Sequence, residues 1–298
     1  MKVQWSKTVQ RNALNGYAFI SLWIIGFILF TIYPILASFY YSFTRYDIVR
    51  APVFTGFDNY VELLVKDKIF HRVMGNTVYL VAIGVPAGII VAYLLALLLN
   101  NPMKFRPVYR TIFFLPTLVP AVAAAEVWRW VLNTQWGLIN AWMKSHGFPV
   151  IPFLSSQAWA KNTLIMIHCW AQGTAMMVLL AALQDVPRAL YDAAQVDGAN
   201  AIQRFFHITL PMTTPAILFL LITHLIGMFQ YFTMGWLLTS GGPNFSTEFF
   251  SIYLYRNAFE YFKMGYASAL AWILFIIIVI FTIITFRTSE RWVYYGGA

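Results

Sequence analysis

Thirty-three consecutive residues, Asn12 to Thr44, carry no charge. A soluble domain, with about one residue in four charged, rarely leaves such an interval. As a helix rising ~1.5 Å per residue, it exceeds the ~30 Å hydrocarbon thickness of a bilayer. The pattern recurs over 24 uncharged residues from Asn76 to Leu99, 23 between Lys161 and Asp185, and 23 from Met264 to Phe286. Two further apolar stretches run from Thr111 to about Leu132, with Glu126 and Arg129 near the far end, and from Pro211 to about Leu238. Backbone groups in hydrocarbon must be satisfied within the chain, and runs this long suit helices rather than strands. The expectation is an all-α membrane protein with six transmembrane helices, the first from about Tyr17 to Ser42, in one transmembrane domain over 1–298.

Composition narrows the function classes. The chain is 60% hydrophobic and 10% charged, with a net charge of +9. Its 20 basic residues are scattered in small groups rather than gathered on a stripe, which argues for headgroup-facing positions and against nucleic acid. The single cysteine, Cys169, forms no intrachain disulfide and reads as an inert thiol in an apolar run. The first apolar stretch is too long for a signal peptide and no small-residue cleavage site follows it, so an uncleaved first helix is expected. Six spans put both termini on one side. Lys and Arg counts are then ten on each side, so the charge rule ties; the acid-free segments 1–16 and 100–110 favour termini inside, and the 44–75 loop argues the other way.

The connections hold no soluble domain. TGFDNYVELL, within 44–75, predicts a Gly turn leading into a short amphipathic helix; 133–160 is turn-rich; SGGPN opens 239–263 as a tight turn. The following EFFSIYLYRNAFEYF is aromatic at helical spacing and predicts a segment lying along the membrane surface.

One connection stands apart. LYDAAQVDGANAIQRFFHITLP, Leu190 to Pro211, carries charges, paired alanines, a glycine and paired phenylalanines between two apolar spans. Pro187 suits a helix start, with Asp185 as its cap. Arg188 to Val196 then forms a short helix with a smooth side at Ala193 and Ala194. Gly198 ends it by adopting the left-handed conformation. Ala199 to Ile208 continues as a second short helix, and Pro211 marks the first turn of span five. From physics alone this is either a loop tucked against its own bundle or a docking element for a soluble partner.

The segment resembles the cytoplasmic EAA loop of permease subunits in binding-protein-dependent ABC importers. That pattern is Glu-Ala-Ala, Gly four residues after the second Ala, then Ile-x-Leu-Pro; here it reads Asp192-Ala193-Ala194, Gly198, Ile208-Thr209-Leu210-Pro211. Asp192 departs from the family Glu, keeping the charge and shortening the reach by one methylene. YDAAQVDGA with ITLP is most similar to the sugar-transporting branch, the maltose-type and glycerol-3-phosphate-type permeases. TGFDNYVELL with GNTVYL, RTIFFLPTLVPAVAAAEVWRWVLNTQWGLIN, LLTSGGPNFST and NAFEYFKMGYASAL extend the resemblance over nearly the whole chain. The large extra outer domain of the maltose permease is absent.

The resemblance implies a type I ABC importer permease in the inner (cytoplasmic) membrane. Cytoplasmic tails would cover 1–16 and 287–298, and residues 184–210 would form a cytoplasmic coupling helix seated in a cleft on an ATPase. Asp192, Ala193, Ala194, Asp197, Gly198, Phe205 and Phe206 would make that contact. The implied partners are two ATP-binding subunits carrying ATP and Mg, a second related permease, an extracytoplasmic binding protein and membrane lipid. The chain itself holds no G-x-x-x-x-G-K-[ST] and no cofactor is expected on it. The resemblance thus implies a transport subunit rather than an enzyme.

Polar residues inside spans are the candidates for solute contact. Pro116 and Pro120 predict a kinked third span, with Thr117 between them. Glu126 and Arg129 are placed to pair. Span four offers His168, Trp170, Gln172 and Thr174; span five offers Gln230 and Tyr231. Amides and aromatic faces suit a sugar, while helix–helix hydrogen bonding is the alternative for each. His168 and His224 have no third ligand at metal spacing, so packing is favoured over a metal or proton relay. Three other readings are weaker. A glycerol-phosphate-type solute would favour several inward cations, and only Arg129 qualifies. An intramembrane enzyme would need paired acids or a metal motif, and Glu126 is the sole acid so placed. A gradient-driven secondary transporter leaves the polar elbow without a purpose.

Overall fold

The computed structural model describes residues 7–295, so residues 1–6 and 296–298 of the expected tails lie outside the described residues. Two compact units emerge: residues up to 66 together with 256–273, and residues 67–255 together with those from 274 onward.

In the first unit, α1 (Lys7–Phe27) passes through a π-helical turn (Ile28–Ile32) into α2 (Tyr33–Ser42). Helix thus begins ten residues before the expected Tyr17. Pro34 stands at the start of α2, where its missing N–H and its ring strain the regular ladder; the widened turn just before it absorbs that strain. A short antiparallel hairpin follows, β1 (Thr44–Arg45) with β2 (Val53–Phe54), in the register Thr44 with Phe54. Helix α3 (Asp58–Val61) comes after Gly56, at φ +64°, as the Gly turn in the sequence indicates. Asn59 Nδ2 donates to the Ser42 and Thr44 carbonyls at 2.8 and 2.9 Å, and Tyr60 OH donates to Ser42 Oγ at 2.8 Å. These bonds close the polar end of span one.

In the second unit, α4 (Lys68–Asn100) is the central post, packed against the helices of spans four and five. It starts before the expected Asn76 because the Asp67 carboxylate caps it, accepting from the Ile69 and Phe70 N–H groups. Gly84, Gly88, Ala92 and Ala96 lie along its packed faces, and small residues of this kind let helices approach closely where lipid supplies no hydrophobic drive. At Gly88 the fit is tight: a Cβ there would lie 2.8 Å from His168 Nε2 and 3.1 Å from Gln172 Nε2.

The third span is broken rather than kinked. Helix α5 (Arg106–Phe114) tightens into a 3₁₀ turn (Leu115–Leu118), Pro120 leaves the helix altogether (φ −55°, ψ 136°), and α6 (Ala121–Val131) departs with a 99° bend. Span four also breaks: α7 (Leu138–Ser145) lies in the preceding loop, and α8 (Gln157–Trp170) meets α9 (Gly173–Gln184) at 49°. A Cβ on Gly173 would sit 2.8 Å from the Phe113 carbonyl oxygen, so the two breaks interlock at this glycine. Among the described residues four helices are long and apolar enough to cross a membrane singly, and the number reaches six where each bent pair counts as one span.

After the elbow helices α10 (Arg188–Val196) and α11 (Ala201–Arg204), a π turn (Phe205–Thr209) leads into α12 (Leu210–Phe229). The expected second short helix is therefore the unbroken extension of span five, Ala201 to Phe229. Pro211 interrupts nothing, because the π turn ahead of it accommodates the missing donor. Helix stops at Phe229 rather than Leu238, and α13 (Thr233–Thr239) is separate, since Phe232 leaves the helical region (φ −129°, ψ −65°). Helix α14 (Phe250–Tyr255) corrects the surface-lying expectation for the first half of that segment, where Phe249, Phe250 and Ile252 are fully buried, while Phe259, Tyr261 and Phe262 beyond it are exposed. Asn76 Nδ2 donates to the Phe245 and Glu248 carbonyls, and Thr77 Oγ1 accepts from the Phe250 N–H, drawing this segment onto α4. The chain's last described helix is α15 (Met264–Ser289), which covers the expected sixth span.

Candidate functional site: an exposed elbow and a polar interior

The elbow begins at Pro187, which precedes α10 without any side-chain cap; Asp185 instead ends α9, correcting its expected role. Gly198, at φ +80°, closes α10. Ala199 N donates to the Ala194 carbonyl at 2.9 Å and Gly198 N to the Gln195 carbonyl at 3.1 Å, the paired bonds of a Schellman stop. Asn200 then caps α11: its side chain accepts from Gln203 N while Gln203 Oε1 accepts from Asn200 N. That capping box has a local sequence signal, Asn-x-x-Gln, absent from the expectations above.

Two further bonds hold the elbow's arms. Tyr191 OH and Thr209 Oγ1 lie 2.9 Å apart, tying α10 to the π turn. The Phe205 ring meets Tyr93 edge-on at 6.1 Å, and Tyr93 OH reaches Thr213 Oγ1 at 2.8 Å. The two phenylalanines therefore divide: Phe205 packs on α4, and Phe206 points outward, 57% exposed. Val196, at 88%, and Ile202, at 70%, are more exposed still. Asp192, Ala193, Asp197 and Gly198 are exposed, and Ala194 is half-buried. Ala194, Asp197, Gly198, Gln203, Arg204 and His207 border a cleft of about 340 Å³. Aliphatic and aromatic surface thus stands beside charged groups, on an elbow fixed by a Schellman stop and a capping box at its turn.

The span residues separate into three groups. His168, Gln172 and His224 come together: Gln172 Nε2 lies 3.0 Å from His168 Nε2 and donates to the His168 carbonyl at 2.9 Å, and the two imidazoles are 5.7 Å apart. The amide leaves His168 Nε2 as acceptor, so its Nδ1 carries the proton. Gln172 is buried. Among the described residues no group of three or more His, Cys, Asp or Glu is placed to hold a metal ion. Trp170 and Thr174 are exposed, and Trp170 meets Trp128 edge-on at 5.4 Å. Tyr231 packs edge-on to Phe249 at 5.7 Å, while Gln230 ends α12, exposed. The buried Trp128 Nε1, His224 Nδ1 and Tyr231 OH have no hydrogen-bond partner among the described residues, and such groups are costly unless something supplies one. Trp128 was not singled out in the sequence; only its pairing with Trp170 across the two breaks brings it to notice.

At the end of the bundle away from the elbow, Arg129 Nη1 binds Glu126 Oε1 at 2.6 Å, and its other terminal nitrogen donates to the Leu237 carbonyl, joining α6 to α13. Thr117 lies elsewhere, its hydroxyl turned to the Phe114 carbonyl at 2.7 Å. Beside Arg129 opens a cavity of about 410 Å³ lined in part by Asn133, Thr134, Ser155 and Thr239. These hydroxyls and amide come from two loops and the end of α13, and no spacing in the sequence predicts their meeting.

Residues 84–293 match the family model described as binding-protein-dependent transport system inner membrane component. The chain is 41% identical over 294 residues to the probable ABC transporter permease protein YesP of Bacillus subtilis, covering 97% of this chain and 95% of that one. It is 33% identical over 262 residues to the sulfoquinovosyl glycerol transport system permease protein SmoG of Agrobacterium fabrum, covering 87% and 85%. Among solved structures it is similar to a chain of a bacterial alginate ABC transporter in complex with an alginate pentasaccharide-bound periplasmic protein, with TM-score 0.83, 27% identity and 96% of each chain covered.

Proposed function

This chain belongs to the family of binding-protein-dependent transport system inner membrane components, and from that membership we propose that it is the permease subunit of an ATP-driven ABC importer that takes up a carbohydrate. Relatives named for a sulfoquinovosyl glycerol and for alginate support a carbohydrate as the class of solute. A binding protein on the outer face would deliver it. The cavity beside Arg129, with its hydroxyls and amide, suits the first contact. The unpartnered indole, imidazole and phenol groups deeper in suit the passage.

The observation that carries the reading is the elbow. It presents Val196, Ile202 and Phe206 to solvent, yet it is held by a Schellman stop, a capping box and the Tyr191–Thr209 bond. Ordered, exposed apolar surface of this kind calls for a cover. The proposed cover is one of two ATP-binding subunits, which hold ATP and Mg, on the cytoplasmic side together with both termini. A second permease of the same family completes the pathway. When the ATPases close, α10 moves with them. The unbroken helix from Ala201 to Phe229 carries that motion to the interior without an intervening joint, which is alternating access by rigid-body closure.

Co-expression with a candidate ATPase and second permease, followed by purification through this chain, tests the assignment. The ATPase is expected to co-purify with the wild type, and its hydrolysis to respond to loaded binding protein. Gly198→Asp is expected to lose both. A wild-type chain that retains no ATPase, or a folded variant that couples normally, refutes the docking role.

A further inference from the structure

Arg106 and Arg110 stand one turn apart on α5, and Gln184 is the last residue of α9. With the Gln184 amide turned as its donors require, its oxygen accepts from Arg106 Nη2 at 2.9 Å and from Arg110 Nη2 at 2.7 Å. Two guanidinium groups thus converge on one neutral oxygen, within about 6 Å of each other. The Nε of each is buried and unpartnered, and neither arginine has a carboxylate within ion-pair distance among the described residues. An amide oxygen cannot neutralise two like charges; an anion beside it can.

Depth and surroundings say which anion. The pair sits on the opening turns of a membrane-crossing segment, at the bundle end that carries the elbow. Val108, Tyr109, Ile112 and Leu115 point outward from the same stretch and are exposed, as lipid-facing side chains are. Lys104, two residues earlier, is exposed too. Arginine forks match phosphate oxygens in pairs, and basic pockets between helices at the membrane surface take up lipid headgroups. We propose that Arg106 and Arg110 form a binding site for the phosphate group of an anionic lipid. Bound there, the lipid neutralises the pair and holds α5 against the end of α9, four residues before α10 begins. The site stands independently of the carbohydrate assignment.

The test uses the full chain in its assembled complex, purified in detergent and stripped of loosely held lipid. Retained phosphatidylglycerol and phosphatidylcholine are counted by native mass spectrometry. The wild type is expected to prefer phosphatidylglycerol. R106Q/R110Q is expected to lower that preference about 30-fold, from roughly five-fold per basic residue at an anionic surface. R287Q/R291Q removes the same charge from two exposed arginines at the end of α15 and just beyond it, and is expected to change nothing comparable. Should the double variant fail to assemble, R110Q alone is expected to give about a five-fold loss. Equal losses in the two pairs, or no preference in the wild type, overturn the proposal. Displacement of the lipid by inorganic phosphate or glycerol phosphate at matched concentration overturns the lipid assignment in favour of a soluble anion. A partner carboxylate cross-linked to either arginine overturns it in favour of a protein contact.

Discussion

Gly198→Ala probes the elbow with little else disturbed. A Cβ at Gly198 meets nothing within 4 Å, so the substitution brings no clash. Its whole cost is conformational: φ +80° places an L-residue in the left-handed region, at about 1–2 kcal/mol. The link from Gly198 to Asn200 is surface backbone and can relax by leaving that conformation. The Schellman bonds from Ala199 and Gly198 then open, and α10 no longer sets its angle to α11. Docking needs the closed elbow, so the apparent affinity for the ATPase falls with the closed fraction. At 1.4 kcal/mol per factor of ten, the expected loss is about 5- to 30-fold. Asn visits the left-handed region more readily, so Gly198→Asn is expected to lie between wild type and Ala. The assay is a binding titration of purified ATPase against the detergent-solubilised permease, with ATPase stimulation read in parallel. If Ala, Asn and wild type bind alike, the left-handed stop does not set the docking geometry and the reasoning fails.

Three further expectations follow from single contacts. Tyr191→Phe removes the hydroxyl bonded to Thr209 and is expected to cost about 0.5–1.5 kcal/mol, read as a lowered midpoint of thermal unfolding with weaker coupling. Gly88→Val drives a side chain into the His168–Gln172 pair and is expected to cost about 1–3 kcal/mol by overpacking, while Val→Ala at the outward-facing Val108 changes stability little; equal midpoints for the two would contradict the close approach. Glu126→Gln breaks an ion pair whose side chains are 45% and 58% exposed, so less than about 1 kcal/mol is expected, and a much larger loss would show that solvent does not screen the pair as the structure implies.

Charge-free intervals located the spans well because the cost of burying charge in hydrocarbon acts residue by residue. Helix α10 and its glycine stop were legible for the same reason: proline, glycine and paired alanines act locally. What the sequence concealed depends on neighbours. Pro116 and Pro120 announced a kink, but the 99° break needs Pro120 to leave the helix and Gly173 to admit the Phe113 carbonyl from another span. Pro211 looked like a helix start because the π turn that absorbs it has no sequence signature. EFFSIYLYRN has the pattern of a surface helix, and its burial is decided by Asn76 and Thr77, some 170 residues away. Thr117 and Arg129 belong to the same predicted span, yet the break turns one to a local carbonyl and the other to α13.

The most direct measurement is solute uptake by sealed proteoliposomes containing this chain, its partner permease and the ATPases, with ATP trapped inside and binding protein outside. The probes are radiolabelled oligosaccharides, neutral and acidic. The account predicts uptake of at least one of them that requires internal ATP and loaded binding protein and survives collapse of proton and sodium gradients. Uptake that persists without ATP and vanishes with the gradients would contradict it.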